Sequence, residues 1–101
     1  MAKRIANVIV DSPIREPLDY LVPADIEIQV GQRCLVPLGT RKVVGIVVGF
    51  SEESRFSKLR EVISRVDDIA PLSFGWLALT SFAARYYQSG WGQVAIPALP
   101  K

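Results

Sequence analysis

The chain has 101 residues, half of them hydrophobic, enough for one compact domain with a real core, and its formal net charge of +2 is far from that of a tail that coats nucleic acid. Histidine is absent, which removes the commonest general base, every Ser–His or Cys–His nucleophile and the usual nitrogen ligand for metals; the single cysteine, Cys34, excludes an intrachain disulfide and a cysteine-built zinc cage. No stretch reaches membrane-spanning length, and Met1-Ala2-Lys3-Arg4 is not followed by the apolar run of a signal peptide, so a cytoplasmic, reducing setting is expected.

Ile5 to Val10 reads as a first strand, with Ala6, Val8 and Val10 forming a clean apolar face and Asn7 sharing the other with Ile5 and Ile9. Pro13 and Pro17 fence a loop that carries Arg15 and Glu16. Leu18 to Val22 is the second strand, closed by Pro23. Side chains alternate along it, so Asp19 stands opposite Leu18 and Tyr20. A lone acid there is either a solvated strand position or a carboxylate held at a pocket mouth to accept hydrogen bonds. After a connection in which Ile26, Ile28 and Val30 alternate, Gly31-Gln32 makes a turn and Arg33 to Val36 a third strand, whose ladder Pro37 is expected to stop. Gly39-Thr40-Arg41-Lys42 reads as a loop tip with two adjacent cations.

Val43 to Phe50 is the strongest strand, β-branched and apolar enough to be buried on both sides, and Gly45 within it signals a bulge or bend that would let a short sheet curl. Ser51 to Ser57 is a polar hairpin loop. Leu59 to Val66 returns as a strand on its β-branched content, although a helix is compatible with the same residues. Asp67-Asp68 and Pro71 end the β-rich part. Ser73 is a good N-cap for a helix running to Gln88, with Trp76, Leu79, Thr80, Ala83, Tyr86 and Tyr87 at helical spacing and Ser89-Gly90 as its stop. Gln93 to Ile96 makes one further helical turn. The expected fold is α+β and β-rich: a small curled sheet or partly open β-barrel of five to six strands, then a C-terminal helix and a short helical turn. Residues 1–101 read as one domain, β-rich over 1–70 and helical over 71–97, and the tail at Pro97-Ala98-Leu99-Pro100-Lys101 reads as the edge of a longer protein.

No phosphate-cradling glycine loop or activated nucleophile is present, and no carboxylate pair is placed for acid/base work, Asp67-Asp68 sitting in a turn before Pro71: Ser12, Ser73 and Thr80 have no base, and nothing in the sequence activates Cys34 or Lys42 as a nucleophile. No catalytic or metal-ligating residue is assigned, which leaves a binding module. Arg41 and Lys42, with Arg60 on a neighbouring strand, are either phosphate contacts or ordinary solvated cations. Trp76, Tyr86 and Tyr87 are stacking platforms for bases, core, or an interface to a further domain.

In order along the chain, Val8 to Val10, Pro17-Leu18-Asp19-Tyr20-Leu21-Val22-Pro23, Gly31-Gln32-Arg33-Cys34-Leu35-Val36-Pro37-Leu38-Gly39, Val44-Gly45-Ile46-Val47, Trp76-Leu77, Ala83-Ala84-Arg85-Tyr86-Tyr87 and Gly92-Gln93-Val94 through Ala98-Leu99-Pro100 resemble the amino-terminal 3′-end DNA-binding domain of the bacterial replication-restart helicases of the PriA (primosomal protein N′) family. The resemblance implies recognition of the 3′ end of a nascent leading strand at a stalled or branched fork. ATP and zinc sites, and the 3′–5′ helicase motor, would belong to domains outside these residues. It implies as partners DNA with a free 3′ end, forked DNA, the remaining helicase domains and other primosome proteins. By motif, the residues at the DNA 3′ terminus are Leu18, Asp19, Tyr20, Gly39 and Arg60. Leu18 stands where the family often has Phe, Leu38 replaces an aromatic, and Arg60 replaces Lys. The chemistry is coherent: a carboxylate repels a continuing phosphate but accepts hydrogen bonds from a terminal hydroxyl and from base-edge amino groups. The rival expectation is a structural or protein-interaction barrel that docks on neighbouring helicase domains.

Overall fold

The computed structural model describes residues 4–54, 58–66 and 70–99. Five strands, β1 (Arg4–Val10), β2 (Leu18–Val22), β3 (Arg33–Leu38), β4 (Arg41–Ser51) and β5 (Ser64–Arg65), form one antiparallel sheet in the order β2-β1-β4-β3-β5; helices α1 (Phe74–Tyr86) and α2 (Trp91–Ala95) follow. The expected β-rich α+β architecture is what the chain adopts. Alternation along β1 sorts its residues as the sequence predicts. Ala6, Val8 and Val10 enter one core with Tyr20, Val22, Cys34, Val36 and Val47; Ile9, on the reverse face, joins Ile46, Leu77 and Ala95 in a second. The sheet therefore buries both faces, one inside its own curl and one beneath the helices.

The segment 60–66 draws the sheet edges together. On β2, the Leu21 N–H donates to the Arg60 carbonyl at 2.9 Å and the Val62 N–H donates to the Leu21 carbonyl at 2.9 Å. On β3, the Ile63 N–H donates to the Leu35 carbonyl at 2.8 Å and the Val66 N–H to the Arg33 carbonyl at 3.0 Å. One short stretch thus bonds both outer strands of the β2-β1-β4-β3 sheet, and the result is a partly open barrel. Because this stretch changes partner between Val62 and Ile63, the strand expected over Leu59–Val66 shrinks to Ser64–Arg65 plus a single parallel bridge between Glu61 and Leu21.

Other expectations move for local reasons. Pro37 does not stop β3, which continues to Leu38 with Pro37 opposite Lys42. The Arg33 and Leu35 carbonyls face β5, so by alternation Pro37 turns the same way, beyond the last β5 pairing, where its missing N–H breaks no ladder. The bulge lies at Val48 rather than Gly45: Asn7 pairs with Gly49 and Val8 with Val47, leaving Val48 extra. Gly45 serves close packing instead, since a Cβ there would lie 2.4 Å from Val8 Cγ1 and 2.9 Å from the Ile9 carbonyl oxygen. Only Gly45, Ile46 and Val47 are buried in succession, and Val44 is exposed. Arg41 and Lys42 belong to β4, so the hairpin loop is only Gly39-Thr40; Gly39 takes φ +62°, the positive φ of the first position in a type II′ turn.

Ser73 caps α1 as expected, its Oγ accepting from the Trp76 N–H at 3.1 Å, but the buried face is Leu77, Thr80 and Ala84, while Leu79, Tyr86 and Tyr87 face outward. A buried Thr80 explains the rotation: its hydroxyl lies within bonding distance of the Trp76 and Leu77 carbonyls and accepts from Trp91 Nε1 at 3.0 Å, tying α1 to α2. The short helix begins at Trp91, two residues before the sequence predicts, with Gln93 Oε1 accepting from the Gly90 N–H at 2.9 Å. The expected turn at Asp67-Asp68, the last three residues (55–57) of the Ser51–Ser57 loop and the end of the tail at Pro100-Lys101 lie outside the described residues.

Candidate nucleic-acid interface

The five residues expected at the DNA terminus separate into two groups, because β2 turns alternate side chains to opposite faces of the sheet. Leu18 and Tyr20 point into the first core; Leu18 is half-buried and Tyr20 only 5% exposed. The Tyr20 hydroxyl donates to the Pro37 carbonyl at 2.7 Å, giving a partner to a β3 carbonyl beyond the last β5 pairing. Burial raises the Tyr20 pKa; the nearby Arg60 charge opposes that rise and Cys34 adds to it. Tyr20 is therefore a prop beneath the Pro37-Leu38-Gly39 segment rather than an open stacking surface.

Above that prop, Arg60 Nη1 donates to the Gly39 carbonyl at 2.7 Å, so the guanidinium latches the hairpin tip. A guanidinium has five N–H donors, and this bond uses one. A shallow groove of about 460 Å³ runs beside the latch, lined by Pro37, Thr40, Arg41, Lys42, Leu59, Arg60, Glu61 and Ile63. The fold thus brings Arg60 to the adjacent pair Arg41 and Lys42, some twenty residues earlier in the chain, around one concavity with Glu61 as its acid. A larger cavity, about 800 Å³, opens between β2 and the loop at 23–29, but of the expected site residues it contains none.

Asp19 is held on the other face. Paired with Asn7 across β1 and β2, its Oδ1 accepts from Asn7 Nδ2 at 3.0 Å and its Oδ2 from the Ser54 hydroxyl at 2.6 Å. Asn7 Nδ2 also donates to Ser51 Oγ at 3.1 Å. Sequence reasoning missed Asn7, Ser51 and Ser54. The available signal was one amide among the apolar residues of β1; the two serines lay in a polar stretch where nothing distinguished them. Of the aromatic candidates, Trp76 and Trp91 are half-buried against the second core, whereas Tyr86 and Tyr87 are 72% and 71% exposed. Among the described residues no cluster of His, Cys, Asp and Glu is arranged to hold a metal, and no helix is long and apolar enough to cross a membrane.

Comparison with known proteins assigns this geometry a context. Residues 7–100 match the PriA family described as the 3′DNA-binding domain (3′BD). The chain is 38% identical over 102 residues to the replication restart protein PriA of Haemophilus influenzae, covering 96% of this chain and 14% of that protein. It is 31% identical over 97 residues to the protein of the same name from Rickettsia felis (96% and 15%), and 29% identical over 99 residues to that of Buchnera aphidicola subsp. Schizaphis graminum (96% and 14%). The chain therefore spans about one-seventh of the length of these relatives.

Proposed function

The chain belongs to the PriA 3′DNA-binding domain family, and from that premise we propose that it captures the 3′-hydroxyl terminus of a nascent leading strand at a stalled or branched replication fork, so orienting a replication-restart helicase on forked DNA. The family match over residues 7–100 carries this reading. The longer protein would be an ATP-dependent 3′–5′ DNA helicase of the bacterial cytoplasm that works with other primosome proteins, with its motor and zinc site outside residues 1–101, which act as one module.

Each residue has a distinct part in this reading. Asp19 accepts from the terminal hydroxyl and from base-edge amino groups, and its charge disfavours a strand that continues through another phosphate. Arg60 neutralises the last phosphate of the strand, helped by Arg41 and Lys42 along the groove. Gly39, without a side chain, lets backbone approach the sugar. Leu18 offers aliphatic contact at the edge of the core, and Tyr20 keeps the hairpin in place. Contacts directed to sugar and phosphate make capture largely independent of the terminal base.

The test is fluorescence anisotropy with matched short single strands, one ending in a 3′-hydroxyl and the other in a 3′-phosphate. Wild type should prefer the hydroxyl strand, and Asp19→Ala should abolish the preference. Equal binding of the two strands by wild type overturns the reading.

One observation favours a second reading, docking on neighbouring helicase domains. The outward face of α1 exposes Phe74, Leu79, Phe82 and Tyr86, continued by the C-cap Tyr87, with Phe82 and Tyr86 stacked at 6.5 Å between ring centroids. A salt series separates the two: phosphate-led binding weakens steeply as salt rises, and apolar docking does not.

A further inference from the structure

We infer that Asn7 and Ser54 are positioning residues that orient the Asp19 carboxylate toward the DNA terminus. The inference rests on the end-capture reading of Asp19 and concerns how that selectivity is built. A carboxylate at a half-exposed strand position ordinarily samples several rotamers. Here both oxygens are held. Asn7 Nδ2 donates to Oδ1 at 3.0 Å from the adjacent strand, and the Ser54 hydroxyl donates to Oδ2 at 2.6 Å from beyond the end of β4.

The Asn7 amide is itself constrained. Ionised Asp19 only accepts hydrogen bonds, so Asn7 must present its NH₂ group there. That group's second hydrogen is directed to Ser51 Oγ at 3.1 Å, and the Ser51 hydroxyl lies 3.4 Å from Asn7 Oδ1. The β-bulge at Val48 makes room for the arrangement by placing Gly49 opposite Asn7, where a Cβ would come within 3.0 Å of Asn7 Oδ1. Bulges commonly re-aim side chains beside functional positions. A carboxylate has about four lone-pair sites, and two donors leave the others for an incoming hydroxyl or amino group. Holding the acceptor in advance reduces the ordering cost when the strand end arrives.

The test applies the same two oligonucleotides to the 101-residue chain carrying Asn7→Ala, Ser54→Ala, Ser54→Thr or Asp19→Ala, with a thermal melt of each variant. The readout is the ratio of affinities for the hydroxyl and phosphate strands, which a merely structural loss would leave unchanged while weakening both. Expected are loss of the preference in Asp19→Ala, a fall of at least about threefold in Asn7→Ala and Ser54→Ala, and retention in Ser54→Thr, which keeps the hydroxyl. If Asp19→Ala abolishes the preference while Asn7→Ala and Ser54→Ala retain it, the positioning role is wrong and end capture stands. Equal weakening of both strands also overturns positioning, because it marks the bonds as a pin between strands. A preference that survives Asp19→Ala removes the end-capture reading, and this inference with it. Should Asn7→Ala melt below the assay temperature, the Ser54 pair decides, because Ser54 lies outside the strands.

Discussion

Asp19 and Tyr20 leave β2 on opposite faces, and the Asp19 region is built on a different principle from the region that Tyr20 shares with Arg60. Around Asp19, neutral donors from β1 and from the stretch after β4 hold a carboxylate at the half-exposed face of the sheet. Around Arg60, a guanidinium and a buried phenol clamp a hairpin from its two sides, one on the Gly39 carbonyl and one on the Pro37 carbonyl. The first arrangement presents an acceptor and suits discrimination between strand ends. The second fixes backbone, gathers cations and suits attraction of any strand. In the proposed reading, selectivity and affinity belong to separate structures, and disturbing one should leave the other in place.

Alkaline titration should strike the Arg60 side hardest. Burial pushes the Cys34 thiol up from 9.0 to about 12 and raises the Tyr20 phenol, and both groups share the first core. The native chain keeps each neutral where the unfolded chain ionises. Stability is therefore complete below pH 9 and falls as pH rises from there toward 12, by up to about 1.4 kcal/mol per pH unit for the thiol. Urea denaturation at pH 8 and pH 10.5 measures the decline. A flat profile would mean that Cys34 reaches water in the native state.

Tyr20→Phe should cost about 1–3 kcal/mol in the same assay, because the buried Pro37 carbonyl loses its donor. The preference for a 3′-hydroxyl end should survive. If it disappears, the two regions are mechanically one.

Arg60→Ala should weaken hydroxyl and phosphate strands alike, by about tenfold, and reduce the slope of log affinity against log salt by about 0.7. A loss confined to one strand would give Arg60 a share in selection. The smallest effect is expected from Lys42→Ala: an exposed cation at the groove rim should cost about twofold for both strands, with the preference unchanged.

The sequence by itself determined the order of the elements, the apolar face of β1, the Ser73 cap and the outward turn of Asp19, because each follows from periodicity or from a contact within a few residues. The family's ordered motifs were legible as a resemblance, since they too run along the chain. Only the tertiary structure decided that Arg60 meets Gly39, that Tyr20 is spent on Pro37, that the bulge falls at Val48 and that Asn7 and Ser54 hold Asp19. These pairs are separated by 12 to 35 residues, and their partners are chosen by strand register. The same holds for α1, whose helical spacing fits more than one buried face until Trp91 of α2 bonds to Thr80 and turns Leu79, Tyr86 and Tyr87 to the outside. Local pattern sets which way a side chain leaves its strand, whereas what it meets depends on the pairing of strands distant in sequence.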